Sequence, residues 1–337
     1  MHPHHHSISI HFAHCLISKA QECGLDTQHL LSHAGLSPAL LENRELRITP
    51  EQLSRLLLEL WRIGDDEFMG MSSHTVRFGV FGLLARQLVH CANLKEVYRY
   101  CSRFYNLVMP AIDVEFTVHN NQATFALALN EPEKDNLGML RELFLLIWHR
   151  FPSWFVGQRV PLQQVTLKLA KPQHFAEHRL MYPAPVHYEH SRDSIVFDAA
   201  FLDLPVVQTS ATLLEYLPQL PLEWFKRQAY YPVFTRRVKD YLETNAEFVG
   251  VNMEDMANQL QMTSRTLRRK LTEEGTSFQL LKDEMRRDTA IHYLSQPNQP
   301  ISQIATLLGF SEPAAFARAF KQWTGVPPSV YRSGPKR

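Results

Sequence analysis

The stretches MEDMANQLQMTSRTLRRKL (253–271) and ISQIATLLGFSEPAAFARAFKQW (301–323) carry one pattern twice. In the first, Met256, Ala257 and Leu260 form an apolar face at helical spacing, Met262 marks a turn, and Leu267 and Leu271 resume the face. In the second, Ile304, Ala305 and Leu308 repeat that face, Phe310 takes the turn, and Phe316 and Phe320 resume it. The offset between copies is 48 residues up to the turn and 49 beyond it, so the second copy holds one extra residue near its turn. Two crossed helices that each bury one face need this arrangement, and the small Ala257 and Ala305 allow close approach. The pattern predicts two helix-turn-helix units.

The outer face of each second helix gives the pair its chemistry. Arg265, Arg268 and Arg269 stand at i, i+3 and i+4, away from Leu267 and Leu271. Arg318 and Lys321 stand opposite Phe316 and Phe320, and Arg318 takes the same slot as Arg269. A guanidinium there can fork onto guanine O6 and N7 or clamp a phosphate. A solvated helix face accounts for any one of these arginines; it does not account for a matched pair on two repeated units.

Between the copies lies FQLLKDEMRRDTAIHYLSQ (278–296), in which Thr276 and Gln279 are spaced as a capping box. Phe278, Leu281, Met285, Ile291 and Leu294 supply its buried side. Helical over 278–295, it would span roughly 27 Å. Successive major-groove segments on one face of B-DNA lie roughly 34 Å apart. A connector of this length suits two reading heads on one chain.

The segment resembles the DNA-binding domain of the AraC/XylS family of bacterial transcription regulators. SRTLRRKLTEEGTSFQLLKDEMRRDTAIHYL and the run GFSEPAAFARAFKQWTGVPPSVYR carry the resemblance, with Gly309, Phe310, Phe316, Phe320, Gly325, Pro328 and Tyr331 in place. It implies a bipartite contact with a double-stranded DNA operator through recognition helices at 264–274 and 312–323. It assigns Ser264, Arg265, Arg268, Arg269, Pro313, Ala314, Arg318 and Lys321 to that contact. Family members often carry polar amides early in the second recognition helix, where this chain has Pro313, Ala314 and Ala315. That departure predicts backbone anchoring and apolar contact with thymine methyls from the second helix, with base reading left to the first.

Composition agrees with a mildly basic DNA-binding end on a mildly acidic body. The chain has 337 residues, 45% hydrophobic and 20% charged, enough for two domains with sizeable cores. Net charge is +1. From Tyr230 onward 15 Lys and Arg stand against 11 Asp and Glu, while the preceding residues hold 20 against 23. Cys15, Cys23, Cys91 and Cys101 form no CxxC, as expected of reduced thiols in a cytoplasmic protein. The apolar run at 143–148 is cut by His149 and Arg150, too short for a membrane span, and no signal peptide is read. The start MHPHHH reads as a His-rich leader able to hold stray metal through His2 and His4–His6.

The preceding residues read as an α+β body, followed by the all-α double helix-turn-helix domain. Residues 8–64 read as all helix, with Thr49-Pro50 capping a helix that carries Leu53, Leu56, Leu57, Leu60 and Trp61. Two helices follow over 78–108, joined around Cys91-Ala92-Asn93; Gly79 and Gly82 lack the Lys-Ser/Thr of a phosphate loop. AIDVEFTVH and QATFALAL alternate as hairpin strands around Asn120-Asn121, a type I′ turn candidate. Residues 137–155 form an apolar helix, 163–170 a strand, 171–182 a helix, and 186–190 and 194–198 short strands. His187 and His190 face opposite sides of a strand, so no metal site is read there.

The body resembles the N-terminal arabinose-binding-like effector domain of the ornithine-regulator subgroup, on 78–108 and SRDSIVFDAAFLDLPV. That implies small-molecule sensing and a homodimer, with RNA polymerase as a further partner if the chain activates. The boundaries read as an effector domain at 8–205, a proline-punctuated linker at 206–232 and a DNA-binding domain at 233–335. Aromatic residues clustered with arginines make Arg103, Tyr105, Arg141 and Trp148 the effector candidates, for an aliphatic or fatty carboxylate or an amino-acid-like acid. No cofactor is expected. GxSxG, HExxH, a P-loop and paired carboxylates are all missing, which argues against an enzyme. The alternative reading is an effector-independent regulator whose body only dimerises.

Overall fold

A computed structural model describes residues 6–226, 233–244, 251–296 and 299–332. Residues 227–232 of the expected linker and 245–250, 297–298 and 333–335 of the expected DNA-binding domain lie outside the described residues. In chain order the first elements are β1 (Ile8–Ser9), α1 (His11–Glu22), α2 (Thr27–Ala34), β2 (Arg47–Ile48), α3 (Pro50–Gly64), α4 (Val80–Leu88) and α5 (Leu94–Val108). Then come β3 (Ile112–His119), β4 (Gln122–Leu129), α6 (Met139–Phe155), β5 (Leu162–Thr166), α7 (Phe175–Met181), β6 (Val186–His187) and β7 (Asp193–Asp198). Helices follow: α8 (Ser210–Tyr216), α9 (Leu222–Phe225), α10 (Val233–Thr244), α11 (Met253–Gln259), α12 (Ser264–Glu273), α13 (Phe278–Leu294), α14 (Ile301–Leu307), α15 (Pro313–Thr324) and α16 (Pro328–Arg332).

Packing divides the chain into two compact units, one of residues 12–34 and 53–230 and the other of residues 1–11, 35–52 and 231–337. In the larger unit the sheet runs β3-β4-β7-β5-β6, antiparallel except for the β5–β6 pair. Asn120 and Asn121 turn the β3–β4 hairpin at φ 47° and 62°, the doubly left-handed geometry of a type I′ turn. Edge strand β3 is covered by α5. The Asn106 amide accepts from Val114 N–H at 2.7 Å and donates to Val114 O at 2.9 Å, pairing side chain to backbone as a neighbouring strand would. Tyr98 of α5 stacks on Phe116, Phe125 and Phe197 at 5.1–5.4 Å. Its buried hydroxyl donates to Trp148 O at 2.9 Å, which ties α5 to α6.

Helix α6 is buried on nearly every side, so its charged residues need internal partners. Arg141 Nε lies 2.9 Å from Asp135 Oδ2, and His149 Nε2 lies 3.0 Å from Val160 O. Burial pushes the His149 imidazole down to about 3, so it is neutral and donates that bond.

The smaller unit departs from the sequence expectation in one respect. Residues 8–64 are not all helix: Ile8 pairs with Ile48 and Ser9 with Arg47 in a two-stranded ladder. Residues 8–11 and 35–52 also pack with the C-terminal helices rather than with the rest of 8–205. Polar bonds fix them there. Ser7 Oγ donates to Asp288 Oδ1 at 2.6 Å, Arg47 Nε donates to Ser7 Oγ at 2.7 Å, and Arg47 N–H reaches Tyr331 Oη at 3.4 Å. Such two-residue strands have no periodicity to read in advance.

Candidate nucleic-acid interface and effector cavity

The two helix-turn-helix units correspond bond for bond. Met262 N–H donates to Ala257 O at 3.0 Å, and Phe310 N–H donates to Ala305 O at 2.9 Å. Gln261 and Gly309, again 48 residues apart, both hold left-handed backbone, at φ 54° and 75°. Past the turn the offset becomes 49, since α12 begins at Ser264 and α15 at Pro313. Met256, Ala257, Leu267 and Leu271 are buried in the first unit, and Ile304, Ala305, Leu308, Phe316 and Phe320 in the second. Both second helices therefore turn the opposite side to solvent.

That side carries the predicted cations. Arg265, Arg268 and Arg269 are exposed along α12, with Ser264 half-buried at its start. Pro313, Ala314, Arg318 and Lys321 are exposed along α15. Arg269 Nε lies 3.5 Å from Glu273 Oε1, an exposed pair too weak to hold the guanidinium back from a phosphate. Thr263 caps α12, its hydroxyl accepting from Thr266 N–H at 3.2 Å. The connector α13 is continuous over 17 residues, about 26 Å long. Its cap is Ser277, which accepts from Leu280 N–H at 3.2 Å, and not the predicted Thr276. Arg286 of α13 lies over the Phe310 ring at 5.2 Å, joining the connector to the second turn.

The larger unit contains a cavity of about 260 Å³ between α3, α4, α5, α6 and the 217–224 segment. Phe81, Phe144, Trp148, Trp61 and Trp224 supply much of its wall, and Glu67 and Arg86 are its charged groups. Glu67 is held by the N-terminus of α4, its two oxygens accepting from Gly79 N–H at 2.8 Å and Phe81 N–H at 2.9 Å. Burial pushes its carboxyl up to about 7, although both N–H groups pull the other way. Arg86 is exposed at the rim, donating to Gly82 O at 3.2 Å. The nitrogens Trp61 Nε1 and Trp224 Nε1 are buried, and neither donates a hydrogen bond of good geometry to a described residue.

Of the four residues the sequence offered for an effector, Tyr105 and Trp148 line this cavity. Arg103 is exposed on α5 and is not on its wall. Arg141 is also elsewhere, spent on Asp135 and on the carbonyls of Pro132 and Asp135. Sequence reasoning missed Glu67, Arg86, Trp61 and Trp224, which reach the cavity from separate segments. The acidic run at 65–67 before a glycine-flanked helix was the available signal. Among the described residues no helix is long and apolar enough to cross a membrane.

Comparison with known proteins agrees with this anatomy. Residues 24–206 match the model described as the arabinose-binding domain of AraC transcription regulator, N-terminal, and residues 256–334 match a helix-turn-helix domain. The chain is 23% identical over 332 residues to the ornithine utilization regulator of Pseudomonas aeruginosa, covering 97% of each. It is 27% identical over 327 residues to an uncharacterized HTH-type transcriptional regulator of Mycobacterium bovis, covering 94% of this chain and 93% of that one. The crystal structure of the transcriptional regulator CdpR from Pseudomonas aeruginosa aligns over 95% of this chain and 98% of its own, at 16% identity and a TM-score of 0.34. With a ligand-binding domain model matching more than half of its length and a doubled helix-turn-helix behind it, the chain belongs to the AraC family of DNA-binding transcription regulators.

Proposed function

We propose that the chain is an effector-responsive regulator whose effector is a carboxylic acid of modest size and mainly apolar body. The observation that carries this reading is the ring-lined cavity, open at the Arg86 rim, with a buried indole N–H on its wall. A cavity of 150 Å³ holds benzene, so about 260 Å³ has room for roughly ten non-hydrogen atoms. A buried N–H without an acceptor costs about 1–3 kcal/mol. The indole nitrogen of Trp61 therefore favours a ligand that brings an oxygen atom, whereas that of Trp224 has the Tyr216 hydroxyl beside it. Arg86 adds a cation at the rim, while Phe81, Phe144 and Trp148 suit an aliphatic or aromatic body.

On the DNA, Arg265, Arg268 and Arg269 of α12 read bases and bind phosphate, while Arg318 and Lys321 of α15 anchor the backbone. Pro313 and Ala314 suit thymine methyls. Effector binding shifts the population of states that differ in operator affinity, and only a ligand with differential affinity for them can do so. The reading includes a homodimer, and RNA polymerase as a partner if the chain activates.

The test uses the tryptophans of the wall. The full chain is titrated with octanoate, decanol and glycine while tryptophan emission is followed, then with a duplex selected from a random pool. Saturable quenching by octanoate, and a change in duplex affinity with it, supports the reading. A response to glycine, or to none of the three, sinks it.

A further inference from the structure

We propose that Glu142, His174 and His178 form a binding site for a divalent transition cation, zinc foremost, in the larger unit. The three side chains are buried, and one ligand atom from each lies within 4.8 Å of the others. His174 Nε2 lies 3.0 Å from Glu142 Oε1 and 3.1 Å from Oε2, and His178 Nε2 lies 3.1 Å from Oε1. In a tetrahedral zinc centre with arms of about 2.0–2.1 Å, neighbouring donor atoms stand about 3.3–3.4 Å apart. The two glutamate–histidine spacings reach that geometry with shifts of a few tenths of an ångström, and the two imidazole nitrogens, within 4.8 Å of each other, would close on the ion.

A hydrogen-bonded triad without metal is the competing account, and it fails at one atom. It requires His178 Nε2 to donate to Glu142, yet that nitrogen makes no hydrogen bond, although its side chain is only 1% exposed. Its 3.1 Å contact with Oε1 is a charge contact rather than a well-formed hydrogen bond. A metal ion asks instead for an unprotonated Nε2 with the proton on Nδ1, and Tyr188 Oη stands 2.8 Å from His178 Nδ1 to accept it. Such an outer partner sets the tautomer and orients the ring.

Local structure explains how the ligands meet. His174 is the residue before α7 and His178 lies one turn into it, so the spacing of four puts both imidazoles on one side. Tyr182, at the far end of α7, donates from its hydroxyl to Glu142 O at 2.7 Å and fixes that segment to α6. Two imidazole nitrogens and one carboxylate oxygen form a three-ligand zinc set with a fourth position for water. Calcium and magnesium, which prefer oxygen throughout, do not match it. Leu143 and Phe144, next along α6, line the effector cavity, so the cation would brace the helix that forms that wall.

The experiment must separate this site from the His-rich leader. The reference protein is the full chain with His2, His4, His5 and His6 replaced by Ser. After dialysis against zinc it should retain one equivalent, its melting temperature should rise with Zn²⁺, and Co²⁺ should give the visible absorption of a low-symmetry centre. His178→Ala should lose the equivalent, and Glu142→Gln should bind zinc about tenfold more weakly or worse. A reference chain that keeps no zinc and gives no Co²⁺ spectrum overturns the proposal. So does an equivalent that persists in His178→Ala. If that variant does not fold, the Co²⁺ titration of the reference chain decides alone, because it leaves the three ligands untouched.

Discussion

Gly82→Leu should stabilise the larger unit and close its cavity to octanoate, two effects of opposite sign for the protein's function. Gly82 lies on the cavity wall inside α4, and a Cβ built there meets only the end of the Arg86 guanidinium, at 3.5 Å. Replacing a glycine in a helix contributes up to about 0.8–1 kcal/mol, an upper bound for Gly82 in the first turn of α4. The three further carbons of leucine, buried against rings, contribute at most about 0.8 kcal/mol each. Forcing a side chain off its rotamer costs about 1–3 kcal/mol, so a net gain of about 0–2 kcal/mol is expected. At about 2–4 °C per kcal/mol, the transition of this unit rises by up to several degrees in calorimetry. Four added carbons at about 25 Å³ each, the share per atom in a benzene-sized cavity, take up roughly 100 of about 260 Å³. The remaining space of roughly 160 Å³ admits an acid of about six non-hydrogen atoms, such as butyrate, and excludes octanoate with about ten. Titration followed by tryptophan emission reads both. Octanoate binding to the variant with an unchanged Kd would refute the placement of the effector, whatever the stability did.

Three further perturbations test other parts of the molecule. Arg269→Ala and Arg318→Ala should each weaken duplex binding by about 1–3 kcal/mol and reduce the slope of log K against log salt by about one; unchanged slopes in fluorescence anisotropy would remove both arginines from the interface. Glu67→Gln tests the raised carboxyl of about 7. The folded state keeps its proton between the ordinary carboxylate value and about 7 while the unfolded state releases it, so the wild type loses stability as pH rises through that window. Relative to the wild type, Glu67→Gln should gain about 3 kcal/mol across it, and parallel pH profiles in urea melts would contradict the assignment. Ser277→Ala should cost the smaller unit about 1 kcal/mol, with Thr276→Ala near neutral, because only Ser277 accepts a backbone N–H of α13; the reverse order in urea melts would restore the predicted cap.

The DNA-binding half was legible because everything that defines it is local. An apolar face at 256, 257 and 260, a turn, and a face at 267 and 271 can be read within a short window. The second copy then supplies an internal control, down to the left-handed residue that Gln261 and Gly309 share. The hairpin at Asn120-Asn121 was legible for the same reason. The cavity was not, since its wall comes from α3, the 67–82 stretch, α5, α6 and the 217–224 segment. Proximity in sequence suggested Arg103 and Arg141, but proximity cannot say that Arg141 is already held by Asp135. His187 and His190 were weighed as metal ligands and set aside. The histidines that do converge, His174 and His178, meet a glutamate on another helix, 32 residues or more away in the chain.

The two sides of the cavity differ in how they can answer a ligand. The α6 side is tied down behind its lining residues: Arg141 to Asp135, Glu142 against His174, His149 to Val160, and Arg150 to the Met181 carbonyl. Shifting that helix breaks several buried polar contacts at once, each costing about 1–3 kcal/mol if left unmade. The α4 side is held by loop carboxylates instead: Asp65 accepts from Phe78 N–H and Arg77 Nε, and Asp66 from Phe68, Gly70 and Val76 N–H. Phe78 and Leu83 are exposed, Gly79 enters the helix at φ 104°, and the Glu67 carboxylate is what fastens its first turn. The cavity therefore has one wall on a buried helix with buried ties and one on a short, partly exposed helix held through its loop. The first turn of α4 rests on a carboxyl that burial raises to about 7. On the effector-binding reading proposed above, a response to ligand would run through α4, whose first turn rests on Glu67, before it ran through α6.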